Sequence, residues 1–401
     1  MLVKTENNRS FYAACLTCFL LRVEWGVATG FLPIRVYELG GSPVDVALVF
    51  SVFAAIMVLS SLFWGVFSDS VGKRKILMVI GMIGLLPIYV LIAFQKDVPT
   101  IILLRGSTAI LKGAVVPCAW ALVSDLSPRE EIGRNMGILS SAELAGFAVG
   151  PAFGGFVSEF FGFSTLWFSV AAICLAGGLI FLFAGAESNR LVVKRGSIPL
   201  FETVRKRDVI SRILIVSIAS GFVLLGCSFL GPNLNVYLVR DLGYTKILIG
   251  VFSFIGMGIA ALAQPLSGNL SDKYGRKPVM IIGALSLTLG NLALLLGGEI
   301  HWIILSQILI NYYNSFNTVA SAYISDVVTS SERSGALGIL NSAGSFARSA
   351  ASVAGGLVIS ATDISTALKI AAALPMVTIF IVVLAVKEPK TFYDLRKKHS
   401  R

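Results

Sequence analysis

Six charged residues stand well away from the ends of long apolar runs in this 401-residue chain: Arg22, Glu24, Arg105, Lys112, Glu143 and Arg348. A charge in hydrocarbon is costly, so each defaults to a paired or a working role. At about 1.5 Å per residue, Glu24 stands roughly 20 Å above the cytoplasmic end of the first run, and Arg105 about 9 Å below the outer end, the start, of the fourth. In a hydrocarbon core of about 30 Å these depths are nearly one level. A carboxylate that sits beside an arginine and can leave it is a workable switch for coupling a proton to movement. A fixed structural ion pair is the competing reading. Lys112 lies seven residues past Arg105, on the same helix face, and Glu143 falls at a similar depth in the fifth run. These two are expected to pair, as a structural bridge or as a second coupling site. Arg22 is about 200° round the helix from Glu24 and cannot share its face. Neither Arg22 nor Arg348 has a partner that can be named from the sequence.

Other chemistries find little material. The two histidines, His301 and His399, lie at a span edge and in the tail, with no Ser/His/Asp set around them. There is no nucleotide-binding loop, so the sequence is read as neither an enzyme nor an ATP-driven machine. Cys15, Cys18, Cys118, Cys174 and Cys227 fall in or beside apolar runs and act there as small apolar residues, without disulfides. Cys15 and Cys18 share a helix face but have no His or carboxylate beside them, so no metal site and no cofactor are expected.

The elements that must hold the buried charges are membrane helices. Hydrophobic residues make up 56% of the chain and charged residues 14%, and mean hydropathy is +0.83. That balance requires a bilayer as part of the solvent. A spanning helix takes about 20 apolar residues. The first half supplies such runs at 11–36, 43–67, 76–94, 100–123, 137–160 and 165–185. The second half supplies 213–239, 248–270, 279–296, 302–324, 337–359 and 367–386. The predicted fold is all-α and integral to the membrane, with twelve transmembrane helices in two six-helix bundles. Residues 1–185 form the first bundle, 186–212 a cytoplasmic linker, and 213–401 the second bundle with a short tail. The polar opening segment, followed by an over-long apolar run, is not expected to be a cleaved leader.

The net charge of +11 does not point to nucleic acid, because the bases sit in short loops between apolar runs. With the N-terminus inside, cytoplasmic segments collect 24 of the 33 Lys and Arg, and outer loops collect five. Both termini are therefore expected in the cytoplasm, the chain crossing the cell membrane.

Self-comparison shows that the halves are repeats. Gly65, Ser68, Asp69, Gly72, Lys73 and Arg74 after the second span recur in register as Gly268, Ser271, Asp272, Gly275, Arg276 and Lys277 after the eighth. A second echo pairs Ser124–Asp125, ahead of Pro128–Glu131 and Arg134, with Ser325–Asp326 ahead of Ser331–Arg333. Parallel repeats of this kind place a substrate site at the interface of the halves near mid-membrane, with access alternating by rocking.

On these motifs the chain resembles the major facilitator superfamily over essentially its full length. The Gly–Asp–Gly–basic loop is similar to that family's signature, and Arg105 followed by Gly106, Ser107, Thr108 and Ala109 is similar to its second. Gly146, Gly150, Pro151, Gly154 and Gly155 of the fifth span look like the element of its proton-driven exporter branch. The eleventh span has Gly355–Gly356 at the matching place but lacks the Gly-Pro. The resemblance implies a gating role for the loops around Asp69 and Asp272, and a cavity lined by helices one and four, where Glu24 and Arg105 would meet. From spacing alone, Gly146, Gly150 and Gly154 share a face and admit a close neighbour, while Pro151 breaks the hydrogen-bond ladder.

Polar residues that could line a cavity concentrate in the second half. Asn311, Asn314, Asn317 and Thr318 fall in the tenth span, Asn233 and Asn235 follow Pro232, and Gln264 precedes Pro265. Trp25 joins them from the first half. Two transport readings stand. One is a proton-coupled exporter of amphipathic molecules, on Glu24, the Gly-Pro element and the aromatic first span. The other is a porter of organic anions or sugars, on four intramembrane bases against two acids. The expected partners are a small-molecule substrate, protons and lipid, with no nucleotide-binding subunit, and the chain is read as a monomer.

Overall fold

The computed structural model describes residues 2–128, 131–187, 207–328 and 333–388. Thirteen helices run through them: α1 (Leu2–Glu38), α2 (Pro43–Val71), α3 (Arg74–Phe94), α4 (Val98–Leu126), α5 (Ile132–Phe160), α6 (Gly162–Ala184), α7 (Arg207–Arg240), α8 (Lys246–Tyr274), α9 (Arg276–Leu296), α10 (Ile300–Tyr312), α11 (Asn314–Val327), α12 (Arg333–Ala361) and α13 (Ile364–Ala385). Ten are long and apolar enough to cross a membrane unaided. The other two crossings depart from the expected pattern. The tenth is broken at Tyr313 into α10 and α11. The eleventh, α12, is too rich in Ser and Gly to read as a span on hydropathy. Together these helices make the twelve-span architecture of two six-helix bundles. Large apolar side chains such as Leu262, Phe346 and Leu384 are exposed along the helices, as a chain solvated by lipid requires.

Local sequence sets the helix ends. Ser42 and Asp45 form a capping box before Pro43 at the start of α2. Asp97 and Asp363 cap α4 and α13 by accepting from the Thr100 and Thr366 amides. The repeated signature glycines do conformational work: Gly72 ends α2 at φ +68°, and Gly275 separates α8 from α9 at φ +103°. Inside α7, Gly231 leaves the helix at φ +23° just ahead of Pro232 and bends the span there.

Contacts divide the chain into two compact units. One comprises Met1–Gly196 with Pro232–Phe254, and the other Ser197–Gly231 with Ile255–Arg401. Most of the expected linker lies outside the described residues.

In the first unit α1 packs on α5, α2 on α4 and α3 on α6. The second unit repeats these pairings. There α9 packs on α13, and Ser352 of α12 donates to the Ser228 carbonyl of α7 at 3.3 Å. Ser267 of α8 meets Tyr312 and Ser315 of the broken span at 3.2 and 2.8 Å. The internal sequence repeat is thus a repeat of helix partners. None of the five cysteines forms a disulfide among the described residues.

Candidate functional site

The tightest ionic cluster among the described residues lies in the first unit, where α1, α3 and α4 converge. Glu24 is sealed from solvent, and its carboxylate lies 2.6 Å from Lys112 Nζ and 3.5 Å from Arg105 Nη1. The Tyr89 hydroxyl donates to the same carboxylate and accepts from Arg105 at 3.1 Å. Arg105 also donates to Thr108 at 3.5 Å. Aromatic faces close the site. Arg105 lies 4.0 Å over Phe53, and Lys112 lies 5.0 and 5.1 Å over Trp25 and Phe53, while Tyr89 stacks on Trp167 at 6.0 Å. Burial of three charged side chains is tolerated because each ion is paired and hydrogen-bonded; removing one partner of such a pair costs about 3–5 kcal/mol.

The level match of Glu24 with Arg105 is present in the structure, but the expected pairing of Lys112 with Glu143 is not. Lys112 turns to Glu24, and Glu143 is held by Arg22 at 3.0 Å, with the Trp120 indole donating at 3.3 Å. The reason is geometric. Two helical turns carry Lys112 back to the face of Arg105, and its long stem reaches the same carboxylate. Arg22, on the opposite side of α1 from Glu24, faces α5. The partner that the sequence left unnamed for Arg22 is therefore Glu143, and Trp25 lies against this arginine too, at 4.7 Å. No carboxylate lies within ion-pair reach of Arg348 among the described residues.

Three glycines let α1 and α5 approach closely, Gly146 and Gly150 against backbone and Gly154 against side chains. A Cβ on Gly146 would enter the Phe19 carbonyl and one on Gly150 the Val23 carbonyl, while one on Gly154 would stand 2.7 Å from the Phe31 ring. Pro151 faces Gly26, where a Cβ would meet its Cδ at 2.8 Å. Gly155 faces the other way, toward the backbone of Lys246 and Ile247.

The repeated loops form matching braces, each inside its own unit. Arg74, at the start of α3, ion-pairs with Asp125 at the end of α4. Arg276, at the start of α9, reaches Asp326 at the end of α11 at 2.9 Å and Asp272 at 2.6 Å. The side chain of Asp69 lies outside the described residues. No contact crowds Gly65 or Gly268. Arg134 is exposed in the first turn of α5, and no ion pair of it is found among the described residues.

A pair of residues that sequence reasoning missed completes each brace. Glu187 accepts from the Lys75 amide at 3.0 Å, and Glu388 accepts from the Arg276 and Lys277 amides at 3.1 and 2.8 Å. Both carboxylates sit at helix N-termini, where free N–H groups and the dipole favour an anion. Each lies three residues past its helix end, Ala184 or Ala385. That shared offset was the available signal.

The proposed polar lining is largely engaged with backbone. Asn233 donates to the Pro43 carbonyl at 3.3 Å and Asn235 to the Gly30 carbonyl at 3.1 Å, tying residues 232–254 to the first unit. Asn314 donates to the Asn311 carbonyl at 2.9 Å beside the break in the tenth span. Asn317 accepts from Ser220 of α7 at 3.1 Å, and Gln264 is half-buried on α8.

Two sets of six spans with the same internal pairings, and signature loops braced alike, describe a duplicated transporter. The profile of the Major Facilitator Superfamily matches residues 14–232 and again 216–399. This chain belongs to the Major Facilitator Superfamily. It is a multi-pass membrane protein and a secondary transporter of small organic molecules, not an enzyme.

Relatives include the multidrug resistance protein MdtG of Proteus mirabilis, 28% identical over 301 residues, 70% of this chain and 72% of that protein. The multi-drug resistance efflux pump PmrA of Streptococcus pneumoniae is 30% identical over 274 residues, covering 66% and 67%. Among solved structures, the nucleoside transporter NupG aligns at a TM-score of 0.76 with 17% identity, over 96% of this chain and all of that one. A POT family transporter in complex with 5-aminolevulinic acid aligns at 0.76 with 14% identity, over 94% and 95%. Likeness at that identity concerns the fold alone.

Proposed function

We propose that this superfamily member is an exporter of amphipathic organic compounds driven by the proton gradient, working by alternating access with both termini in the cytoplasm. The observation that carries this reading is the buried cluster of Glu24 with Arg105, Lys112 and Tyr89. It offers a chargeable centre, dry and aromatic-lined, on helices of the first half. The Arg22–Glu143 pair beside the glycine seam is a second chargeable junction. The names of the relatives, a multidrug resistance protein and an efflux pump, support the outward direction and the substrate class. The loop braces at Arg74–Asp125 and Arg276–Asp326, with Asp272, are assigned a gating part, each stiffening the loop-bearing end of its own half. Anion transport loses part of its ground, since three of the four intramembrane bases stand against carboxylates. Arg348 keeps that alternative testable.

The test uses the full chain in lipid vesicles with ethidium as the transported probe, at equal and unequal pH across the bilayer. A pH gradient should drive ethidium against its own gradient, and Glu24→Gln should abolish the drive. Ethidium flux indifferent to the pH gradient would reject proton-coupled export, and full drive retained by Glu24→Gln would reject the Glu24 cluster as the seat of the coupling.

A further inference from the structure

The Glu24 cluster is not electrically balanced. One carboxylate faces two bases, and all three side chains are at most 1% exposed. With every group in its ordinary form the cluster carries a net positive charge out of contact with water, which is unfavourable wherever it is not offset. Arginine does not release its proton in proteins. The Tyr89 hydroxyl is already committed, donating to Glu24 and accepting from Arg105. Protonating Glu24 would make the imbalance worse, leaving two cations and no anion. Loss of a proton from Lys112 is the change that brings the cluster to neutrality, with Glu24 and Arg105 left as a matched pair.

We infer that Lys112, rather than Glu24, carries the coupled proton. This rests on the proton-coupled reading above and names the group that performs it. In one state the Lys112 ammonium holds Glu24 and ties α4 to α1; in the other it has given its proton to water and is a neutral amine. Glu24 stays ionised and Arg105 stays charged in both. The surroundings suit both forms. Trp25 and Phe53 present ring faces that attract the ammonium and also accept an uncharged amine.

Among the described residues the ionisable groups around Lys112 are few. They are Glu24 from α1, Tyr89 from α3 through the shared carboxylate oxygen, Arg105 from α4 itself and the Cys174 thiol from α6. From α2 the neighbour is Phe53, which does not titrate. Glu143 of α5 is held by Arg22. No second carboxylate in this set competes for the proton.

Two measurements on the full chain in vesicles decide the matter. The first is ethidium flux with and without a pH gradient, expressed as the ratio of the two. Lys112→Arg fixes the charge and Lys112→Gln removes it, so each should bring the ratio to about one, the value for uncoupled events. A wild-type ratio retained by either variant overturns the proposal. The second is pH-difference infrared spectroscopy of the wild type, which needs no variant to fold. Across the pH range in which the flux ratio changes, no protonated-carboxyl band should appear. A band that appears on acidification and is missing in Glu24→Gln places the proton on Glu24 and overturns the proposal. If the wild-type ratio is itself one, proton-coupled export fails. The infrared arm, followed across the whole accessible pH range, then still reads which group of the cluster takes the proton.

Discussion

Arg22 of α1 and Glu143 of α5 meet at 3.0 Å, on an interface where glycines let the helices approach closely. The pair adds a specific clasp to a seam that van der Waals contact alone would leave free to slide. Each single change, Arg22→Gln or Glu143→Gln, should lower stability by about 1–3 kcal/mol, because it leaves the other charge away from bulk water without its ionic partner. The double change should cost less than the sum, with a coupling on the order of 1 kcal/mol. Thermal unfolding of the purified protein in detergent reads all three; strict additivity would show that the two charges do not sense one another.

Glycines of α5 should divide sharply by position. Gly150→Ala drives a methyl into the Val23 carbonyl and should destabilise by about 1–3 kcal/mol, as overpacking does. Gly137→Ala lies in the same helix with nothing within 4 Å of its added Cβ. It should be neutral or stabilising by up to about 1 kcal/mol through helix propensity. Yield and melting temperature of the two variants, compared side by side, check this; equal behaviour would contradict the seam.

Glu187 and Glu388 cap different helices and should act locally. Glu388→Ala is expected to speed amide exchange in the first turn of α9 while leaving α3 unchanged, and Glu187→Ala should do the reverse. A cost of about 0.5–2 kcal/mol, the range for losing an N-cap, applies to each. Hydrogen exchange followed by mass spectrometry separates the two turns. Exchange rising equally in both would mean that the carboxylates are not the caps.

Acid should loosen two further helix starts. Hydrogen bonds from Thr100 and Thr366 hold the Asp97 and Asp363 carboxyls below the ordinary aspartate value of 3.8. A lowered native value means that the stabilisation is fully present above the unfolded value and fades as pH falls through the native one. Protection of the Thr100 and Thr366 amides, corrected for intrinsic exchange, should therefore hold level down to about pH 4 and fall below it. In Asp97→Asn and Asp363→Asn that acid limb should be absent at the substituted site. A limb that survives the substitution would assign it to another group.

Much of the fold was legible because the bilayer enforces it. Apolar run length gives the spans, and the in-register loops at Gly72 and Gly275 give the repeat. The tenth span was harder. Hydropathy averages over a window and does not register a turn at Tyr313, where Asn311 and Asn314 supply local hydrogen bonds that compete with the helix. Depth arithmetic found the level of Glu24 and Arg105 correctly. It failed for Lys112 and Glu143 because depth fixes height along a helix and says nothing of which neighbour stands at that azimuth. Tyr89 was overlooked inside an apolar third span, although a buried phenol usually needs a partner for its hydroxyl. By type alone the asparagines could line a cavity or bridge helices, and the amides of Asn233, Asn235 and Asn314 donate to backbone carbonyls.

The carboxylate caps have a consequence for biosynthesis. Glu187 follows Lys75 by 112 residues, and Glu388 follows Lys277 by 111. At about 5–20 residues per second, the first turn of α3 waits roughly 6–22 s on the ribosome for its acceptor, and α9 waits as long for its own. Each clasp closes only when the last helix of its half has been made, and it needs nothing from the other half. The duplicated chain thus carries two separate assembly clocks, and the first can finish before the second has started.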